Sequence, residues 1–231
     1  MALTEPILQN PMKSIQTRGF TLVELLVSIT IIVVLAAIVF TVSSRAIRSA
    51  DKAVAVQNLR GIGGAIQGYV LENNNRLPGP LNVGQSALYT GARPNLTTYI
   101  ASYMEVQRES SEIPYLVANF ASPALMKKFD KDNKDAPVVY RMGSDRVENT
   151  RGEKGFPWIW NNPAGTTAKP WRLDDINPRS AGKSYAMIEQ DATMGGSWTN
   201  NGAKAPSFGN ERMALMFDWS VQSQNVGDWV K

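Results

Sequence analysis

Residues 18–42 read RGFTLVELLVSITIIVVLAAIVFTV, an apolar run with one acidic residue near its start. From Leu25 through Ser44 no residue is charged. A membrane-spanning helix needs about 20 mostly apolar residues. The 23 residues from Phe20 to Val42 include only five polar ones, which are Thr21, Glu24, Ser28, Thr30 and Thr41. The stretch therefore predicts a helix able to span a bilayer.

Two other kinds of segment are also apolar. A secretory signal peptide has an apolar stretch of about 7–15 residues before a small-residue cleavage site. The present run is longer, although Leu35-Ala36-Ala37 resembles such a site. A helix buried in a soluble core seldom keeps about 20 residues free of charge. A membrane helix accounts for the length and the composition better than either alternative.

Glu24 is the one charged residue between Phe20 and Val42. An ionised carboxylate in the bilayer costs about 2.5–3.5 kcal/mol on insertion scales, so it is expected to have a function and a partner. We expect no partner within the helix until a cleavage before Phe20 creates an amino group one turn away. That amine, on the same subunit or a neighbour, would neutralise the carboxylate where the dielectric is low. Alternatively, Glu24 lies at interface depth and favours the positive end of the helix dipole.

Residues 19–25, GFTLVEL, resemble the G-F-T-L-[IV]-E-L signal of type IV prepilins and type II secretion pseudopilins. The resemblance implies that prepilin peptidase cuts between Gly19 and Phe20 on the cytoplasmic face and methylates the new amino group of Phe20. Glu24 would then serve assembly. A glycine suits position 19 because a subsite that admits only hydrogen excludes every side chain.

This resemblance also implies a function and a set of partners. The chain would be a structural subunit of a pilus or pseudopilus, for type II secretion or a type IV pilus. Its partners would be prepilin peptidase, copies of itself, other pilin-like subunits, the inner-membrane assembly platform and membrane lipid. We expect a single-pass protein of the bacterial inner membrane, with its N-terminus in the cytoplasm and its C-terminal domain exported.

The charges beside the helix oppose this orientation. Lys13 and Arg18 precede the apolar run, whereas four cations follow it within about 20 residues, the window in which positive charge favours the cytoplasmic side. Those four are Arg45, Arg48, Lys52 and Arg60. The rule weakens for long translocated domains. We therefore follow the motif for the orientation.

The helical pattern continues beyond the apolar run. Apolar residues recur at spacings of three and four, which is typical of an amphipathic helix: Ile47, Ala50, Val54, Leu59, Ile62, Ile66 and Tyr69. We predict one helix from about Phe20 to Leu71, ended by the asparagines and prolines of residues 73–80. Within it lie Gly61, Gly63, Gly64 and Gly68. Each costs up to about 1 kcal/mol relative to alanine, so a sheet or a second helix should approach closely there.

Four candidate strands follow, at Tyr115–Phe120, Pro137–Met142, Tyr185–Glu189 and Arg212–Gln222, the last with a turn around Asp218–Ser220. Asn95 is a candidate cap for a short helix that carries Leu96, Tyr99 and Ile100. We predict an α+β fold, with the long helix on a small antiparallel sheet. The expected domains are a leader (1–19), a transmembrane helix (20–44), the exported half of that helix (45–76) and a globular pilin-like domain (77–231).

The composition excludes several chemistries. The 231 residues include no cysteine and no histidine, which removes disulfides, His-dependent triads and zinc motifs with histidine. No phosphate-binding loop or dinucleotide fingerprint is present. We expect no enzymatic activity and no cofactor. The net charge of +4 is mild and no long basic run occurs, so we expect no nucleic-acid partner.

Two loop regions offer alternative functions. Four tryptophans, Trp158, Trp160, Trp171 and Trp198, either pack a loop-rich domain or bind glycan or protein. The second case would make the chain a membrane-anchored binding protein. The oxygen-bearing side chains of Asp130, Asp132, Asn133 and Asp135 could ligate calcium, but their spacing is not that of an EF-hand and lysines lie between them. We therefore expect no metal.

Overall fold

The computed structural model describes residues 19–89, 95–104, 115–129, 137–143, 147–158, 169–194 and 202–229. These residues divide into two compact units, one ending at Ala46 and the other beginning at Ile47. The first unit is helical apart from its first residues. The second combines the rest of that helix with all the strands, so the α+β prediction is confirmed.

The long helix, α1, runs over Leu22–Glu72, close to the predicted bounds. It is uninterrupted across all four glycines. After its last turn Asn74 and Asn75 have φ values of 54° and 60°, the left-handed region that asparagine tolerates. The Asn75 N–H donates to the Val70 carbonyl at 3.0 Å and so satisfies a carbonyl of the last turn. The asparagine cap therefore ends α1 as predicted.

A five-stranded antiparallel sheet forms the centre of the second unit. Its order is β1-β4-β7-β8-β9, where β1 is Gly84–Ser86, β4 is Val138–Met142, β7 is Tyr185–Glu189, β8 is Glu211–Met216 and β9 is Val221–Asn225. Two small ribbons accompany it: β2 (Leu88–Tyr89) with β3 (Tyr115–Leu116), and β5 (Val147–Glu148) with β6 (Lys154–Gly155). The short helices are α2 (Leu96–Ile100), α3 (Pro123–Met126) and α4 (Pro178–Ala181).

The second half of α1 contributes one side of the main hydrophobic core. Leu59, Ile62 and Ile66 are fully buried, in one cluster with Met213 and Leu215 of β8. The alternate residues of β8, Ala214 and Met216, form a separate small cluster with Ile188. Strands buried on both faces in this way lack the clean alternation of a half-exposed strand.

The predicted strands were partly correct. Tyr185–Glu189 is a strand with the predicted bounds, Val138–Met142 lies within its predicted range, and β8 and β9 flank the predicted turn. Tyr115–Phe120 was wrong as a single strand, because only Tyr115–Leu116 is extended and Ala118–Phe120 forms a 3₁₀ turn. The prediction also missed β1, which is three residues long and contains a glycine.

Asn95 occupies the N-cap position of α2 as predicted, but its side chain does not cap the helix. Its Oδ1 instead accepts from the Ser86 N–H at 3.2 Å, and its Nδ2 donates to the Leu88 carbonyl at 3.0 Å. The buried amide thus connects α2 to β1 and to β2. The predicted capping role is therefore wrong, because two other backbone groups use the same side chain.

Candidate processing and assembly site

Gly19 and Phe20 precede the first turn of α1 in non-helical conformation. Phe20 is 82% exposed, and a Cβ added at Gly19 would meet no atom within 4 Å. The peptide bond between them is therefore open to solvent and outside the hydrogen-bonded helix. Exposed segments outside helices and strands are the preferred sites of proteolytic cleavage.

Thr21 and Glu24 close the first turn of α1 through three reciprocal hydrogen bonds. The Glu24 Oε2 accepts from the Thr21 N–H at 2.8 Å and from the Thr21 hydroxyl at 2.7 Å. The Glu24 N–H donates to the Thr21 hydroxyl oxygen at 3.2 Å. Threonine at the cap with glutamate three residues later is a capping box. The box satisfies two backbone N–H groups that the helix leaves free.

This geometry corrects one expectation for Glu24. The carboxylate was expected to have no partner within the helix, yet Thr21 supplies two donors in the intact chain. The pattern T-x-x-E was visible in the sequence and is the signal that reveals the box. Neither donor carries a charge, so Glu24 still lacks a cation among the described residues.

The remaining hydroxyl groups of the apolar run donate back to the helix itself. Ser28 donates to the Glu24 carbonyl at 2.7 Å, Thr30 to the Val27 carbonyl at 2.7 Å and Thr41 to the Ala37 carbonyl at 2.6 Å. A hydroxyl bonded in this way presents no unsatisfied donor to lipid, where an unsatisfied group costs several kcal/mol. The polar residues of the run are thus compatible with a bilayer.

The side chains of the first unit are exposed throughout. Val33 is 67% exposed and Phe40 78% exposed. The most apolar 18-residue window of α1 has a mean hydropathy of 3.0, and none of it is buried. Among the described residues, α1 alone meets the length and composition required to cross a membrane.

Comparison with known protein families matches the prokaryotic N-terminal methylation motif to residues 16–40. The chain carries a prepilin-type signal. This signal is the signature of type IV pilins and pseudopilins, so the predicted resemblance is confirmed. It supports a pilin-like subunit that is processed by prepilin peptidase and anchored by a single membrane helix. No curated protein and no solved structure matches the chain.

Beyond the prepilin-type signal, α1 carries two kinds of glycine. A Cβ on Gly63 would lie 3.3 Å from Leu215, and one on Gly68 would lie 2.8 Å from the Tyr103 ring. Added Cβ atoms on Gly61 and Gly64 would meet nothing within 4 Å. The predicted close approach therefore occurs at Gly63 and Gly68, where the β8 side chain and the tyrosine lie against the helix.

Two of the cations that follow the signal are bound within the second unit. The Arg48 guanidinium donates to the Phe208 carbonyl, and the Lys52 Nζ lies 2.6 Å from the Glu211 carboxylate. Lys52 and Ser223 together lower the pKa of Glu211 below its usual value. In the folded unit these two cations hold α1 to β8 and to the residues before it.

The alternative sites lie only partly within the described residues. Trp158 is fully buried and stacks on Phe217 with ring centroids 5.8 Å apart. Trp171 is partly buried against the same core. These two tryptophans pack the domain, whereas Trp160 and Trp198 lie outside the described residues. The acidic loop residues Asp130, Asp132, Asn133 and Asp135 lie outside them too, and no potential metal-binding cluster occurs among the residues that are described.

Proposed function

We propose that this chain is the precursor of a structural filament subunit. Prepilin peptidase cleaves it between Gly19 and Phe20 and methylates the Phe20 amine. The mature subunit then joins copies of itself and other pilin-like subunits, through the inner-membrane assembly platform, in a type II secretion or type IV pilus system. It acts by assembling and not by catalysis.

The observation that carries the proposal is the prepilin-type signal at residues 16–40. The local geometry supports it, because the capping box starts α1 at Leu22 and leaves the Gly19–Phe20 bond exposed just before the helix. If the bond lay inside the helix, the helix would have to unwind there before cleavage. The box thus suits a substrate that is cut immediately upstream of its own helix.

Glu24 gives the assembly step a physical basis. In the precursor its carboxylate is held by the neutral donors of Thr21. Cleavage before Phe20 creates an ammonium group beside that cap, and a charged donor binds a carboxylate about twice as strongly as a neutral one. The amine of the same or a neighbouring subunit would replace Thr21 as the partner. Pairing would set the position of one subunit against the next.

The domain boundaries follow from this proposal. Residues 1–19 are the cytoplasmic leader, 20–44 the transmembrane helix, 45–76 the exported half of α1 and 77–231 the exported globular domain. The boundary between the two compact units, at Ala46 and Ile47, supports a division near residue 45. The bound forms of Arg48 and Lys52 require the folded globular domain on the same side of the membrane as these cations.

Two substitutions at Glu24 test the assembly step. Glu24→Ala removes both the cap and the charge, whereas Glu24→Gln keeps an oxygen for the Thr21 N–H but has no negative charge to form an ion pair with an ammonium group. Each variant is expressed with the assembly system of its host, and sheared filaments are separated from membranes. We expect both variants to insert and to be cleaved but not to enter filaments. Normal filament assembly by Glu24→Gln would contradict the charge-pairing step.

A further inference from the structure

Three charged side chains are buried at one end of the sheet. Glu189, which ends β7, Asp191 just beyond it and Arg212 in β8 are each 1% exposed. The Arg212 guanidinium donates from Nε and Nη2 to the Asp191 carboxylate, with Nη2 and Oδ1 3.1 Å apart. Asp191 therefore has a matching cation. Glu189 pairs with no lysine or arginine in the part of the chain that the structure describes.

Glu189 is instead held by two neutral donors. Its Oε1 accepts from the Ser122 hydroxyl at 2.9 Å, and its Oε2 accepts from the Met213 N–H at 3.0 Å. The Ser122 oxygen also accepts from the Leu125 N–H and so caps α3. We call Glu189, Ser122 and the Met213 N–H the carboxyl clasp. It connects the first turn of α3 to two central strands.

The surroundings of the clasp disfavour a charge on Glu189. Tyr140 of β4, which lies directly opposite Glu189 in the strand register, supplies no positive charge, and Asp191 carries a charge of the same sign as an ionised Glu189. Arg212 directs its Nε and Nη2 to Asp191 and Thr193, and its Nη1 donates to no group among the described residues. Two lysines follow α3: Lys127 is bound to Asp51 of α1 at 3.2 Å, and Lys128 is exposed.

Burial is the main cause that raises the pKa of Glu189, and Asp191 adds to it, while the donors from Met213 and Ser122 and the nearby hydroxyl of Ser207 oppose them. A carboxyl that is desolvated without a cation favours its neutral form.

We propose that the carboxyl clasp is a proton-operated stabiliser of the globular unit, in which the folded chain binds a proton at Glu189 more firmly than the unfolded chain does, so that the unit becomes more stable as the pH falls. A protonated Glu189 can donate to the Ser122 oxygen while its other oxygen still accepts from Met213. The hydrogen bond to Ser122 reverses direction, the Ser122 hydroxyl hydrogen rotates away from Glu189, and the heavy atoms keep their places. Proton uptake therefore needs no rearrangement of the fold.

The direction of the pH dependence follows from linkage. The folded pKa of Glu189 is raised above its unfolded value, so its contribution is full below the unfolded pKa and is lost as pH rises through the folded pKa. Each unit between the two values changes the folding equilibrium constant by about tenfold. Glu211 and Asp174 have lowered pKa values and act in the opposite sense, but only at pH values below their unfolded pKa. Among the described carboxyl groups outside the membrane segment, Glu189 is therefore the one that makes the folded unit more stable as the pH falls.

The significance of this device rests on the proposed function. An exported domain meets a medium whose pH the cytoplasm does not control, and a filament subunit with this clasp would hold its fold more firmly when that medium acidifies. The stability measurement below requires neither cleavage nor assembly. Its failure would therefore leave the proposed function intact, and failure of the proposed function would leave the clasp intact.

The test compares three forms of the full chain in detergent micelles, by urea unfolding followed through tryptophan fluorescence at several pH values from 5 to 8. They are the wild type, Glu189→Gln and the control Glu211→Gln, which removes a partly exposed carboxylate that is bound to Lys52. We expect the folding equilibrium constant of the wild type and of the control to rise as pH falls. The full rise is about tenfold for each unit by which the folded pKa of Glu189 exceeds its unfolded pKa. Glu189→Gln should show no such rise. A flat wild-type profile, or the same rise in Glu189→Gln, would overturn the proposal.

Infrared spectroscopy of the wild type provides a second test that does not depend on a variant folding. A protonated carboxyl absorbs separately from an ionised one, and solvent-exposed glutamates titrate near pH 4.3. We expect one carboxyl band in the folded chain to persist well above that pH and to vanish on unfolding. Loss of every protonated band near the ordinary glutamate pKa would refute the clasp even if Glu189→Gln fails to fold.

Discussion

The two halves of α1 share one backbone conformation and have opposite side-chain environments. In the first half Leu35 is 56% exposed and Val33 67% exposed, whereas in the second half Leu59 and Ile66 are fully buried. The first half is apolar on all sides and the second is apolar on one face. A uniform apolar surface requires lipid or other subunits, while a one-sided apolar surface is satisfied by its own domain. The helix thus combines an anchor with the spine of a folded unit.

The largest expected difference between the halves concerns the stability of the globular unit. Leu59→Ala should lower the free energy of unfolding by about 2–5 kcal/mol, because it leaves a cavity in the main core. Leu35→Ala removes the same atoms from an exposed position and should leave this free energy unchanged. Urea unfolding of both variants measures the contrast. Equal losses would show that the first half also belongs to the folded core.

Membrane insertion should show the reverse contrast. Val33→Arg places a charge in the middle of the apolar run, at a cost of about 2.5–3.5 kcal/mol on insertion scales. Gln57→Arg adds the same charge to an exposed position in the second half and should have no effect on insertion. Resistance of the membrane-bound protein to alkaline extraction measures both. If Val33→Arg remained as firmly inserted as Gln57→Arg, the apolar run would not be the anchor.

Two glycines in the second half should respond to alanine in different ways. Gly64→Ala meets no neighbour and should stabilise the chain by up to about 1 kcal/mol, because alanine favours a helix. Gly68→Ala would press on Tyr103 and should be less stable than Gly64→Ala by about 1–3 kcal/mol. Thermal unfolding of the two variants measures this difference. An equal gain in stability from both would show that Tyr103 does not lie against Gly68.

The ion pair between Lys52 and Glu211 should give the smallest effect. Both side chains are more than a third exposed, so solvent screening limits the pair to less than about 1 kcal/mol. The lowered pKa of Glu211 means that this stability is present above the unfolded pKa and is lost as pH falls through the folded pKa. Lys52→Met should therefore flatten the acid limb of the stability profile. An unchanged acid limb would show that Lys52 does not stabilise the ionised Glu211.

Much of this architecture could be predicted from local patterns. The bounds of α1 followed from an apolar run, a three-and-four periodicity and an asparagine-rich end, all of which act between near neighbours in sequence. Tyr185–Glu189 was found because it is a short apolar segment bounded by turn residues. The T-x-x-E pattern would also have revealed the partner of Glu24, since a capping box spans only four residues.

Long-range contacts account for what the sequence did not reveal. The strand Gly84–Ser86 exists because it pairs with Val138–Met142, more than fifty residues away, and its own residues have no strand preference. Asn95 was assigned a local role that its contacts to Ser86 and Leu88 displaced. The sequence identified Glu189 only as the end of a strand. Its lack of a cationic partner depends on a long-range contact, the pairing of Arg212 with Asp191.

Intact-mass analysis of the membrane-extracted protein tests the central claim most directly. The chain is produced with and without prepilin peptidase, and its N-terminus is read from the same sample. The prepilin account predicts that the peptidase yields a chain beginning at Phe20 with the mass of one added methyl group, and that the full precursor persists without it. A chain that still begins at Met1 in the presence of active peptidase would contradict the account.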